Sequence, residues 1–339
     1  MTTKQELVKV CVDYVRNPQQ VLAFSEGKDF DTQLREKFFN VLGVDKVNRK
    51  TMRNTHNREL VFEILTEVIA EGFVKGIEED EFFMQFAEIK NIARGDLNEF
   101  YLEDDAILTV SQHSGNHWNI RRQKLEGGTK FTVETKAYSV GVYADFEAFM
   151  TGRVSFARLV AKVAQALKLK AYEEVAATFA STSSQLPAQF VATGTYAEAK
   201  LIDLYQHVQA TSGNAPIVVG TAKALATITN GVNVNWISDD MKNEKNTTGR
   251  IGIYNGMTLV QLPVVHKANT FEFAYDDKQI LVLPTTGDQF IKVVYEGDDY
   301  MKQTENEKEN NDMSFEYLYL TKFGVKTVFS SLFGIYTLA

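Results

Sequence analysis

The sequence predicts an α+β protein, and three observations carry that prediction. A strand-like run, Phe131-Thr-Val-Glu-Thr-Lys-Ala-Tyr-Ser-Val-Gly-Val-Tyr, leads into a long amphipathic helix from Ser155 to Phe179. Helical and strand-like segments then alternate between Tyr196 and Leu283, and the chain closes on strands rich in aromatic residues. In the long helix Phe156, Val160, Val163, Leu167, Ala171, Val175 and Phe179 recur at steps of three and four, which puts them on one face. Lys162, Lys168, Lys170, Glu173 and Glu174 mark the polar face. No Gly or Pro interrupts Arg153 to Leu186. At the usual rise the helix is roughly 35–40 Å long, the breadth of a small domain, and can act as a spine.

Composition narrows the function. A chain of 339 residues holds two or three domains' worth of sequence. Apolar residues make up 44% and charged residues 24%, the balance of a globular protein. The net charge of −8 argues against a main task of gripping phosphate backbones. The single cysteine, Cys11, can form neither an internal disulfide nor a thiolate metal cluster. No apolar run approaches the ~18–20 residues that span a bilayer. The N-terminus lacks the apolar core of a signal peptide, so the chain is expected to work without being secreted. No fixed-period repeat is found.

Taken in order, the first hundred residues read as mostly helical. Leu7, Val8, Val10, Cys11, Tyr14 and Val15 form one apolar stripe, and Thr32–Leu42 and Arg58–Phe73 are two further helices. Phe82, Phe83, Phe86 and Ile89 read as another short helix. The polar, basic stretch from Asp45 to His56 reads as a solvated or subunit-contacting loop. These helices fit either a compact bundle or an arm docked on a neighbour.

A short strand at Ile107–Val110 is followed by Ser-Gln-His-Ser-Gly-Asn-His and then by Trp118 to Lys124. Gly127-Gly128 between alternating segments signals a hairpin. Arg121, Arg122 and Lys124 lie on one arm and Glu134 on the other, so opposite charges can set the register. The arms are too polar for a buried sheet, and a hairpin with little apolar surface needs something to rest on. It reads as a projecting arm. The apolar parity changes between Phe131, Val133 and Tyr138, Val140, Val142, which places a bend near Ala137. His113 and His117 have no third ligand nearby and are not read as a metal site. Trp118 reads as a packing residue rather than a base-stacking one.

After the spine, Tyr196–Val208 is a helix, Ile217-Val-Val a buried strand, and Thr221 the cap of a helix from Ala222 to Ile228. Asn243–Thr248 reads as a loop, and the segments from Gly249 to Val265 and from Gln279 to Pro284 as strands. Gly249, Gly252 and Gly256 do not have phosphate-cradle spacing and are assigned to turns and bends. No nucleophile elbow, zinc-protease motif or Walker lysine is present. Adjacent Asp239 and Asp240 make a poor catalytic pair. Gln289–Tyr295 is a strand, Glu296–Asp312 a charged excursion, and the strands at Ser314–Leu320 and Val325–Phe329 are broken at Gly324.

Three stretches in this order are similar to one family. They are Gly128 to Arg153 running into the long helix, Gly249-Arg-Ile-Gly-Ile-Tyr-Asn-Gly with Leu262-Pro263, and Phe323-Gly-Val-Lys-Thr-Val. Over residues 100–339 the chain resembles the major capsid protein of tailed bacteriophages, with the Hong Kong 97-type fold. The resemblance implies an N-terminal helical region at 1–105 and an extended hairpin loop, or E-loop, at 106–135. It implies a peripheral domain at 136–183 and 289–339 with its spine helix at 155–179, and an axial domain at 184–288. It further implies a non-enzymatic subunit, without cofactor, that self-assembles as hexamers and pentamers into an icosahedral head enclosing double-stranded DNA. Trp118, Arg121, Arg122, Lys124, Lys130 and Phe131 would make the hairpin's inter-subunit contacts. Other virion proteins, such as a portal and scaffold or decoration proteins, would be partners, and DNA would be touched weakly. The protein would be assembled in the host cytoplasm and reside in the virion, away from membranes. The alternatives are an encapsulin-like shell around a protein cargo, and a soluble α/β enzyme, for which no converging polar groups are found.

Overall fold

The structure, a computed structural model, describes residues 3–16, 30–43, 55–102, 110, 115, 128–144, 156–183, 186–231, 238–267, 270–285, 289–297, 299–303, 315–328 and 332–339. Helices α1 (Thr3–Arg16), α2 (Phe30–Leu42) and α3 (Thr55–Glu78) fall where the apolar stripes place them. Helix α3 runs past Phe73, because Ile77 continues its buried face. A short helix, α4 (Glu81–Phe86), follows and is capped by the Asp80 carboxylate, which accepts the Phe82 N–H at 3.1 Å. It ends at Phe86, and Ile89 sits instead in strand β1 (Ala87–Ile92). Pairing of β1 beside a later strand overrides the helical spacing there.

The spine itself is therefore α5 (Phe156–Ser183), four residues longer at its end than the spacing predicts. Val160, Val163, Leu167, Ala171, Val175 and Phe179 are all buried. Helices α1 and α3 pack on α5, with Leu7, Val8, Cys11 and Val12 in the shared core. Of the two arrangements open from sequence, the described N-terminal helices form a layer within their own chain. The polar face of the spine is not idle. Lys168 pairs with Asp80 at 2.6 Å and so ties the spine to the cap of α4. Lys170 reaches Glu173 at 2.7 Å. Of the basic loop predicted from Asp45 to His56, residues 45–54 lie outside the described residues, while Thr55 and His56 open helix α3 instead; the strand predicted at 107–110 also lies outside them, apart from Val110.

The first sheet lies against this helical layer. It is built from β4 (Lys136–Ala144), β10 (Ile291–Glu296), β11 (Tyr300–Gln303) and β12 (Phe315–Thr327), with β1 parallel to β10 at one edge. Strand β12 uses both edges: β4 pairs along one, β10 and β11 along the other. Two expectations are corrected here. The charged excursion after Glu296 contains β11, because β12 offers it an edge. Gly324 does not break the final strand; it sits inside a continuous β12. There the backbone of Glu134 and Thr135 crosses so closely that a Cβ on Gly324 would lie 2.3 Å from the Glu134 carbonyl oxygen. The strand read as continuous from Phe131 to Tyr143 is two strands, β3 (Thr129–Thr132) and β4, parted at Val133–Thr135. The parity change placed that break within a few residues.

The second sheet runs in the order β5-β13-β9-β6-β8-β7. Its strands are β5 (Val191–Gly194), β6 (Ile217–Gly220), β7 (Ile253–Tyr254), β8 (Met257–Gln261), β9 (Gln279–Leu283) and β13 (Gly334–Leu338). Val218, Ile280 and Val282 pack with helices α6 (Glu198–Ser212) and α7 (Ala222–Gly231), while Ile217, Val219, Leu281 and Leu283 face the core that holds the spine. Both faces of β6 and β9 are covered, which is why these two strands read as unbroken apolar runs. Strand β13 belongs to this sheet, although the sequence groups the chain's last fifty residues with the first. Asn243–Thr248, read as a loop, is the end of helix α8 (Asp239–Thr248). That helix has no apolar face, but it is capped at Ser238 and stopped by left-handed Gly249. The glycine assignment holds: Asn255 and Gly256, both at positive φ, form the turn between β7 and β8.

Gly324→Ala forces the crossing backbone apart. Thermal unfolding should show a loss of about 1–3 kcal/mol, whereas Gly76→Ala, inside helix α3 with open space around it, should gain up to about 1 kcal/mol.

Candidate assembly interface

Of the residues singled out for inter-subunit contact, Lys130 and Phe131 lie among the described residues, in a two-stranded ribbon. Strand β2 (Glu99–Leu102) pairs antiparallel with β3, and Leu102 stands opposite Thr129. The chain that leaves at Leu102 therefore returns at the same point, and residues 103–128 form a closed excursion from a two-stranded root. Trp118, Arg121, Arg122 and Lys124, with His113 and His117, lie outside the described residues. Lys130 and Phe131 are in the root. Lys130, largely exposed, meets Glu99 at 2.9 Å, and that hydrogen bond and charge raise its pKa. Phe131 stacks on Phe100 with centroids 5.6 Å apart, and the Lys326 ammonium lies 5.2 Å from the Phe131 ring centre.

The root is seated firmly on the first sheet. Asn98 grips Val133 twice: its amide donates to the Val133 carbonyl at 2.6 Å, and its own oxygen accepts the Val133 N–H at 3.0 Å. Phe100 and Val133 are buried against Val294 of β10. Strand β10 thus alternates. Ile291, Val293 and Tyr295 face the helical core, and Val294 faces the root. Lys292 shares the parity of Val294. Its side chain is 1% exposed, its ammonium lies 5.6 Å from the Phe100 ring centre, and it meets the Glu88 carboxylate at 2.5 Å. Lys90 covers the same ring at 3.9 Å and donates to the Glu99 carbonyl at 3.2 Å. Two cations near one phenyl ring make a cation–π arrangement that also keeps each ammonium near an acceptor. Burial pushes the Glu88 carboxyl up, but the hydrogen bond and charge of Lys292, joined by Lys90, more than offset this and hold it below its ordinary value.

Gly128 is required at the joint. It has φ +78°, and a Cβ there would fall 2.5 Å from the Leu102 carbonyl oxygen. The root residues Asn98, Glu99, Phe100 and Lys292 escape sequence reasoning. Glu-Phe-Tyr-Leu is too short to show alternation, and a lysine in a strand reads as exposed. The usable signal is the apolar phase of Ile291-Lys-Val-Val-Tyr, which leaves Lys292 and Val294 sharing one face. The other groups weighed for chemistry stay apart. Asp239 and Asp240 occupy the first turn of α8, where carboxylates offset the helix dipole, and Asp239 pairs with Lys242 at 2.8 Å. Among the described residues no cluster of His, Cys, Asp and Glu could hold a metal ion, and no helix is long and apolar enough to cross a membrane.

A family model described as SPbeta prophage-derived putative capsid protein YonB matches residues 23–337. No curated protein matches the chain in sequence. Among solved structures, it is similar to the mature capsid of bacteriophage PhiM1, at 13% identity over 77% of this chain and 87% of that one, with a TM-score of 0.46. It is similar to the capsid of cyanophage P-SCSP1u, at 13% identity over 76% and 88%, with a TM-score of 0.48. A chain of the satellite phage P4 procapsid, solved with its size determination protein, is 12% identical over 80% and 91%, with a TM-score of 0.48.

Removing Glu88 strands a buried ammonium. Glu88→Ala should cost roughly 3 kcal/mol, the low end for a broken buried pair because Glu88 keeps a third of its surface in water. The depressed carboxyl gives the pH sign. Its stabilisation is complete above the ordinary glutamate pKa of about 4.3 and is lost as pH falls through the lower folded value. Urea midpoints measured from pH 7 to pH 3 should drop more in the native protein than in Lys292→Met; equal slopes would contradict the pairing.

Proposed function

We infer the function from one premise: the chain belongs to the YonB family of prophage-derived capsid proteins, whose model spans nearly its whole length. It is a structural protein of the virion. We propose, further, that it is the major capsid subunit of a Hong Kong 97-type shell, assembling in the host cytoplasm as hexamers and pentamers around double-stranded DNA. The first sheet with its spine serves as the peripheral domain, the second sheet, completed by β13, as the axial domain, and the excursion from the β2–β3 root as the E-loop. A portal and scaffold or decoration proteins are its further partners.

The single observation that carries this reading is the root. A seated, two-stranded base that launches a long excursion is an arrangement for reaching another body. Residues 103–128, out and back, can span at most about 45 Å, enough to lie over an adjoining subunit. Trp118, Arg121, Arg122 and Lys124 are carried on that excursion and supply its aromatic and cationic contacts; Lys130 and Phe131 hold its base. Contacts of this kind need not be strong singly, because each subunit repeats them around a closed shell. The net charge of −8 supports only weak contact with packed DNA.

Replacing residues 103–127 by a short Gly-Ser link should leave a folded subunit, with unchanged far-UV circular dichroism and a cooperative melt, that no longer closes into shells under the electron microscope. Normal shells from that variant would refute the role given to the loop.

A further inference from the structure

Between β8 and β9 the chain forms a small hairpin that the shell reading does not use. His266 bridges to Phe273, the Ala274 N–H donates to the Val265 carbonyl at 2.8 Å, and the Lys267 N–H donates to the Glu272 carbonyl at 2.8 Å. The side chains of Lys267 and Glu272 pair across it at 3.3 Å. This ladder presents Phe271 near its tip, 95% exposed and edge-on to His266, which in turn lies on Phe273 with centroids 5.0 Å apart. At the foot of the same hairpin is a pocket of about 250 Å³, walled by Leu262, Pro263, Val264 and Phe273, with Lys223 and Asp277 also in its lining. Those two charges stand 3.8 Å apart.

One chain thus carries an aromatic knob and an apolar socket side by side, and its own knob does not fill its own socket. A closed apolar cavity of about 150 Å³ already accepts benzene, so a phenyl ring fits. The charges also match. A knob entering from outside brings Lys267 and Glu272 to a pocket whose lining includes Asp277 and Lys223, one opposite sign for each. Two different patches of one surface that fit each other make a head-to-tail contact, which repeats around a ring. The hairpin's own hydrogen bonds hold the knob ready, so little order is lost on docking.

We propose that Phe271 of one copy enters the Val264–Phe273 pocket of the next copy and so fixes neighbouring subunits within a capsomer. This rests on the reading that copies of the chain meet in a shell, and it adds a contact independent of the E-loop. A photoreactive group tests it without removing the ring. Particles assembled from a mixture of ¹⁵N-labelled and unlabelled Phe271→p-benzoylphenylalanine chains should, on irradiation, yield mixed-isotope peptide pairs joining position 271 to residues 262–277 or 221–223. Phe271→Ala, at an exposed site, should leave the melting temperature unchanged and raise the protein concentration needed for assembly about tenfold or more. Normal particles that cross-link elsewhere, or a Phe271→Ala chain that assembles at the native concentration, would overturn the contact and leave the shell reading intact. A native chain that forms no multimer would remove both.

Discussion

Strand β12 is the constraint on which the rest of the structure depends. Both of its edges are hydrogen-bonded, by β4 on one side and by β10 and β11 on the other. It therefore fixes where the chain entering the spine helix must start, since β4 precedes α5. It also fixes β10, whose two faces serve two purposes: apolar residues of one parity complete the helical core, and Lys292 and Val294 carry the root of the excursion. Gly324 lies where these demands meet. Only a residue without a side chain lets the backbone at Glu134 cross β12 and turn from the root into β4.

Magnitudes explain why the root is built so heavily. Closing an excursion of residues 103–128 costs roughly 3 kcal/mol of chain entropy beyond a constant. Full burial of Phe100 and Val133 contributes about 1.5–3 kcal/mol each, enough to offset it. The Asn98 clamp adds two hydrogen bonds to backbone that a sheet would otherwise have to satisfy. The buried Lys292–Glu88 pair adds little net stability by itself, because desolvation consumes most of its attraction. Its worth is positional. The ammonium meets Glu88 of β1 and lies near the Phe100 ring of the root, so the pair favours this seating of the root.

How much of this was legible followed the periodicity of the residues involved. The spine helix has one apolar face, and strands β6, β8 and β9 of the second sheet lie in apolar runs; these are legible, whereas β5 and β13 of the same sheet are not. The turn between β3 and β4 showed itself as a change of parity. What was missed lacked a pattern long enough to read. Helix α8 carries a single apolar residue, Met241, and only its caps, Ser238 and Gly249, announce it. Strand β11 sits in charged sequence and exists because β12 gives it an edge. Ile89 keeps helical spacing with Phe82 and Phe86, yet pairing with β10 draws it into a strand. Gly324 looked like a break because the reason for it, the crossing at Glu134, lies 190 residues away in sequence. Of the residues named for contact, Lys130 and Phe131 lie at the root; the knob at Phe271 went unread because one phenylalanine in a polar turn carries no period.

The central claim is that a rigid root aims residues 103–127 at another subunit. A cryo-electron microscopy map of particles assembled from the native chain tests it most directly. The account predicts density for Trp118 and its neighbours resting on the body of an adjacent subunit, with the Asn98–Val133 clamp and the Phe100 seat as they stand here. Density that folds those residues back onto their own subunit, in a closed shell, would contradict it.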